Sequence, residues 1–151
     1  GAAGLGYSAY ALMMAVGRFA GDWLRGHIGA VALVRGSALV AAAGILMALT
    51  VPVPLIAIGG YGLAGFGLAN LVPVFFGAAG RIPGEAAGTG IAAVATLGYT
   101  GFLLGPPVIG FVADLSSLTM ALGLILLACL TIRLAANILV PAGRKGPVPA
   151  G

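Results

Sequence analysis

Hydrophobic positions run along this chain in long blocks, with almost no alternation of apolar and polar residues. Five blocks, residues 1–20, 28–51, 55–77, 86–113 and 118–140, are each about as long as the roughly 20 apolar residues that a helix needs to cross hydrocarbon. The strict period of two that marks a membrane barrel is absent, and inside a bilayer only a helix satisfies its own backbone, so the pattern predicts an all-α polytopic transmembrane helix bundle. Polar and charged residues fall mostly between the blocks.

The densest of these interruptions is residues 17–35, GRFAGDWLRGHIGAVALVR, which holds Arg18, Asp22, Arg25, His27 and Arg35 with glycines at 17, 21, 26 and 29. We read it as a short charged loop at a membrane surface. The second block ends at Val51-Pro52-Val53-Pro54, where two prolines remove backbone donors and call for a tight extended turn. The third block carries Gly59, Gly60, Gly62, Gly65 and Gly67, residues that let helices approach closely in lipid, so it is expected to pack on more than one side. Asn70 and Pro73 follow, a polar amide near mid-depth and a residue that frees a carbonyl one turn earlier. Together they predict a bent, polar helix beside a cavity. The fourth block is long and is expected to break or kink at Pro106-Pro107. The fifth is rich in Leu and Ile and suits a lipid-facing place.

Composition agrees: 61% of the 151 residues are hydrophobic and 7% charged, with a mean hydropathy of +1.18, too little polar surface for a soluble globule of this size. The net charge of +4 is spread over the loops and reads as a topology signal, with nothing clustered for nucleic acid. One set of block ends carries Arg18, Arg25, Arg35, Arg81, Arg144 and Lys145, and the opposite set carries no Lys or Arg. By the positive-inside rule the first set is cytoplasmic, which puts the N-terminus of the chain outside and the C-terminus inside. Residues 144–151 read as a disordered cytoplasmic tail. The chain begins at Gly1-Ala2 with no Met and no flanking anchor, so a piece of a longer chain is expected. The single Cys129 excludes a disulfide within the chain and a cysteine metal site, and no cofactor is called for. Arg133, near the inner end of the last block, reads as a side chain that snorkels to the interface.

GRFAGDWLRGHIG resembles the cytoplasmic signature loop of the major facilitator superfamily of transporters, with Gly17, Gly21 and Asp22 in place and Trp23 where a basic residue is usual; Arg25 stands two positions on. Further along, Arg81, Pro83, Glu85 and Gly88, then Gly101, Gly105, Pro106 and Gly110, are similar to the loop and the Gly-Pro helix of the same family. GRFAGDW and LGYTGFLLGPPVIG are together similar to a bacterial branch near the sugar permeases. The resemblance implies helices eight to twelve of a twelve-helix transporter of the inner membrane, whose N-terminal half is the missing partner. It implies further that the first, third and fourth blocks border a central cavity. Tyr7 and Tyr10 on the first, Phe66 and Asn70 on the third, and Thr96 and Tyr99 on the fourth are then candidates to hold a small polar solute by hydrogen bonds and stacking. Asn70 leads, because a buried amide has four hydrogen-bonding valences and few local ways to fill them. Asp22, Gly17, Gly21, Arg25, Arg81 and Glu85 are the gating candidates, with Asp22 facing a helix N-terminus of the other half.

Each of these has a plainer reading. The plainer role of Asp22 is a solvated loop residue, which the surrounding motif makes the weaker reading, and that of Glu85 is a carboxylate favoured by its own helix dipole; the Tyr and Thr hydroxyls serve as bonds between helices, and His27 reads as solvated. Alternating-access transport competes with a five-span membrane scaffold that has no catalytic role. An enzyme would need a nucleophile with a base or a metal cluster, and three acids at helix ends with one loop His do not supply one.

Overall fold

The structure, a computed structural model, describes residues 2–140; the tail expected at 144–151 lies outside them. Six helices follow one another: α1 (Ala2–Ile28), α2 (Ala30–Thr50), α3 (Pro54–Leu68), α4 (Leu71–Ala79), α5 (Ala86–Leu115) and α6 (Leu118–Leu139). Among the described residues there is no strand. The protein is an all-α polytopic bundle and a multi-pass membrane protein. Four segments are both long and apolar enough to cross a bilayer: Ala30–Thr50, Pro54–Ala79, Ala86–Leu115 and Leu118–Ile138. The fifth expected span, α1, qualifies by length alone. Its 27 residues reach about 40 Å, but Tyr7, Ser8, Tyr10, Arg18, Asp22 and Arg25 dilute its apolar character.

The charged segment is not a loop. Helix α1 runs through Gly17, Gly21 and Gly26 as far as Ile28, and the connection to α2 contracts to Gly29, whose φ of 80° lies on the left-handed side that a residue without Cβ adopts freely. The Gly29 N–H donates to the Arg25 carbonyl at 3.2 Å and the Gly29 carbonyl accepts from Leu33 N–H at 3.0 Å, so one residue serves both helix ends. Gly17 and Gly21 stand singly among good helix formers, and both are buried against the third span; that packing outweighs their weak propensity.

Val51-Pro52-Val53 forms the expected turn, and Pro54 opens α3 at its first turn, where a missing N–H leaves nothing unpaired. The third span is interrupted where Pro73 implies it. Pro73 has no N–H for the Ala69 carbonyl and its ring takes that carbonyl's place, so α3 stops at Leu68 and α4 starts at Leu71. The fourth span is not interrupted at its prolines, since α5 continues through Pro106 and Pro107 as a single helix of 30 residues. Two lost bonds inside so long a helix leave enough of the backbone ladder on either side to hold it.

Helix α3 lies between α1 and α2, α6 packs on α2, and α5 stands at the edge on α6 and α4. At the α2–α3 crossing the backbones touch: a Cβ on Gly60 would stand 2.7 Å from the Gly44 carbonyl oxygen, and one on Gly44 2.6 Å from that of Gly60. Gly65 faces the Tyr10 backbone of α1, while Gly67 faces the backbone of Ser37 and Ala41 on α2. The third span is thus held from two sides through its glycines, as small residues permit in lipid. Near the charged end, Leu33, Val34, Leu71, Val74, Ala136 and Val140 form one buried cluster that ties α2, α4 and α6 together; Ala41, Ala42 and Cys129 form a second. Helix α6 buries Ala121, Cys129 and Ala136 and leaves Leu127, Leu134 and Ile138 uncovered. No residue of α5 is buried.

Candidate functional site

The C-terminal third of α1 lies along the interruption of the third span, and most of the polar candidates on these two spans meet there. Positions 17, 21 and 25 are one turn apart and share a face of the helix. A Cβ at Gly17 would stand 2.8 Å from the Ala69 Cβ and 2.9 Å from the Phe66 carbonyl oxygen. Gly21 lies directly against the Asn70 side chain, with Asn70 Oδ1 in the space a Cβ would need. Arg25 is half-buried and reaches over α4, its Nη2 2.7 Å and Nη1 2.8 Å from where a Gly77 Cβ would be. One face of α1 therefore touches the third span before, at and after its break.

Asn70 is buried, at 6% exposure. Its backbone is the N-cap of α4, and its side chain makes no cap hydrogen bond. Within this chain the amide lies in a notch made by a glycine on α1. Tyr10 is half-buried further along the same interface, where its backbone meets Gly65, and Phe66 is half-buried beside Gly17. Tyr7, by contrast, is uncovered, and so are Thr96 and Tyr99 on α5. The chain by itself does not bring these three to Asn70.

Among the gating candidates, Gly17 and Gly21 are buried and Asp22 is exposed on the neighbouring face. Arg81 and Glu85 are exposed in the turn between α4 and α5, which Gly84 makes possible with a φ of 69°. Glu85 is the N-cap residue of α5 and makes no side-chain cap bond there. Beyond Asp22 the exposed face of α1 carries Phe19, Trp23 and His27. The Trp23 and His27 rings are 4.3 Å apart between centroids, and His27 Nδ1 lies 2.8 Å from the Trp23 carbonyl oxygen, to which it donates when protonated. His27 is exposed as expected and is also tied to its own helix.

Two features escaped the reading by sequence. Gly77 receives Arg25, and its signal was only one more glycine in a glycine-rich helix. The other is a groove of about 610 Å³ between α4, α5 and α6, with walls that include Val72, Phe75, Phe76, Val94, Leu97 and Ile132. None of the candidate residues lines it, and its walls are almost entirely apolar.

Comparison with known proteins gives two relatives. The chain is 40% identical over 135 residues to an MFS-type transporter of Yersinia pestis, an alignment that takes in 89% of this chain and 35% of that protein. It is 41% identical over 118 residues to the membrane protein MosC of Rhizobium meliloti, covering 78% of this chain and 29% of the relative. The chain thus spans about a third of the length of the curated relatives it matches. No protein-family model matches it, and no solved structure does.

Proposed function

The chain belongs to the major facilitator superfamily, and from that premise we propose that it is part of the C-terminal half of a transporter that moves a small polar solute across the bacterial inner membrane by alternating access, without chemistry on the solute. The observation that carries this reading is the relationship to an MFS-type transporter along 89% of the chain. The fold supports it in two ways. A span interrupted beside a buried amide is costly to keep in lipid unless it lines or moves against something. Helix α5 buries none of its residues within this chain and so has its surface free for other helices, for lipid and for a solute path.

In this reading the N-terminal half is the partner. Residues 17–28 and the α4–α5 turn face the cytoplasm, and the N-terminal end of α1 lies toward the outside. Thr96, Tyr99 and Tyr7 keep their side chains uncovered and are the groups available to meet a solute arriving between the halves, with Tyr10 and Phe66 partly available behind them. Asn70, seated against Gly21, is already engaged.

Asp22 is the gate. It is exposed next to the glycine face that grips the third span, so its carboxylate is free to meet the positive end of a helix in the other half, an interaction of about 0.3–1 kcal/mol at the surface and more where partly buried. Neutralising it by Asp22→Asn in the full-length protein is expected to lower uptake severalfold in proteoliposomes screened with radiolabelled sugars, amino acids and other small polar solutes, with unchanged membrane insertion. Uptake equal to wild type from a correctly folded Asp22→Asn protein removes the gate role.

A further inference from the structure

The break in the third span is an interruption of the helix hydrogen-bond ladder, with the backbone of Ala69 and Asn70 still in the right-handed helical region. The Ala69 carbonyl has lost the donor that Pro73 lacks, and the last bond of α3, Ala69 N–H to the Gly65 carbonyl at 3.1 Å, and the first of α4, Val74 N–H to the Asn70 carbonyl at 3.1 Å, do not overlap across the junction. The angle between the two helices is therefore set by what packs against them. Leu71 and Val74 sit in the cluster with Leu33, Val34, Ala136 and Val140, against which Leu24 of α1 also packs. Helix α1 then runs along the joint, with Gly17 on Phe66 and Ala69, Gly21 on Asn70, and Arg25 over Gly77.

We propose that the C-terminal third of α1 is a splint for this hinge, and that Asn70 in the Gly21 notch is its latch: Asn70 positions α4 and does not hold the solute. The fit is specific in size. Gly21 is buried, and the Asn70 Oδ1 occupies the volume of its absent side chain, so the two residues interlock only while α4 keeps its present angle. The segment that carries the latch also carries the exposed Asp22 one residue away. A force on Asp22 that turns or tilts α1 withdraws the notch from Asn70 and frees the hinge. A buried polar side chain held by shape at a two-state joint is the kind of element through which such a shift is transmitted. The use of the hinge in transport rests on the reading given above, whereas its existence does not, and the test is chosen to read the hinge alone.

The experiment places a reporter cysteine at Val74, which is 2% exposed and buried in the cluster at the joint, in the full-length protein with every other cysteine, Cys129 included, replaced by serine. Membrane vesicles are treated with N-ethylmaleimide and the labelling rate is measured. A second reporter, Ala121→Cys, is fully buried near the start of α6, at the end of that helix opposite Ala136 and Val140. With the latch intact both reporters label slowly. Asn70→Ala and Gly21→Ala are each expected to speed labelling at Val74→Cys by about tenfold, the mark of easier local opening, with the rate at Ala121→Cys unchanged. If either substitution loosens both reporters, Asn70→Ser, which keeps a small polar group and shortens the latch, is scored in its place. Faster labelling at Val74→Cys alone supports the latch even if no solute is ever transported. An unchanged rate at Val74→Cys in all three variants, or equal acceleration at both reporters in all three, overturns it.

Discussion

Leucine in place of Gly65 or Gly67 is expected to lower the unfolding midpoint of the detergent-solubilised full-length protein by about 5–10 °C, whereas leucine in place of Gly36 leaves it within error of wild type. All three are glycines inside helices, and they differ in what a side chain would meet. At Gly65 the obstacle is the Tyr10 carbonyl on α1, and at Gly67 it is the backbone of Ser37 and Ala41 on α2. Backbone inside a packed helix cannot step aside as the end of a flexible side chain does, so α3 has to move away from its neighbour and lose dispersion contact along the crossing. Overpacking of this kind costs about 1–3 kcal/mol, against a total stability of only about 5–15 kcal/mol. Nothing lies within 4 Å of a Cβ at Gly36. Thermal size-exclusion of the three variants in parallel checks the ordering, and equal midpoints contradict the interhelical packing described here.

Val34→Asp is expected to be more damaging still, leaving little protein in the membrane. Val34 is wholly buried in the cluster that joins α2, α4 and α6 near the charged end. A carboxylate there enters an apolar cluster, and an intramembrane charge costs about 3 kcal/mol even on insertion scales that allow for relaxation. Val34→Ala removes two methyl groups without adding a charge and is expected to lose about 1–2 kcal/mol, so it stays detectable. Immunoblots of membrane fractions at matched expression measure both. A steady-state level of Val34→Asp equal to wild type contradicts the burial assigned to this cluster.

What could be read from the chain alone follows from how local its causes are. The VPVP turn and the break near Asn70 are consequences of proline at fixed offsets, so they were legible residue by residue. The crowding of glycine from Gly59 to Gly67 pointed to a span gripped on two sides, and α3 lies between α1 and α2. The charged segment misled because glycine has two meanings. Gly17, Gly21 and Gly26 with charges around them look like a loop, but Gly17 and Gly21 are there to admit another helix, and the helix they admit lies about fifty residues away in the chain. The same distance hid the partner of Asn70. Its four hydrogen-bonding valences argue for burial, which the structure shows, but nothing near it in sequence says that it seats against α1. Pro106-Pro107 suggested a broken helix, and a run of thirty residues absorbs the two lost bonds. For Thr96 and Tyr99 the surroundings lie beyond this chain, since α5 buries nothing against its own neighbours.

The most direct test of transport by alternating access is the reactivity of a single cysteine at Thr96, midway along α5, in an otherwise cysteine-free full-length protein. Sealed right-side-out and inverted membrane vesicles are each exposed to a membrane-impermeant maleimide. A position that borders a path open first to one side and then to the other is expected to be labelled in both preparations, with labelling slowed by the transported solute once the uptake screen has found it. A cysteine at this position that stays unreactive from both sides, in protein that labels fully after denaturation, places α5 against lipid or protein and contradicts the account.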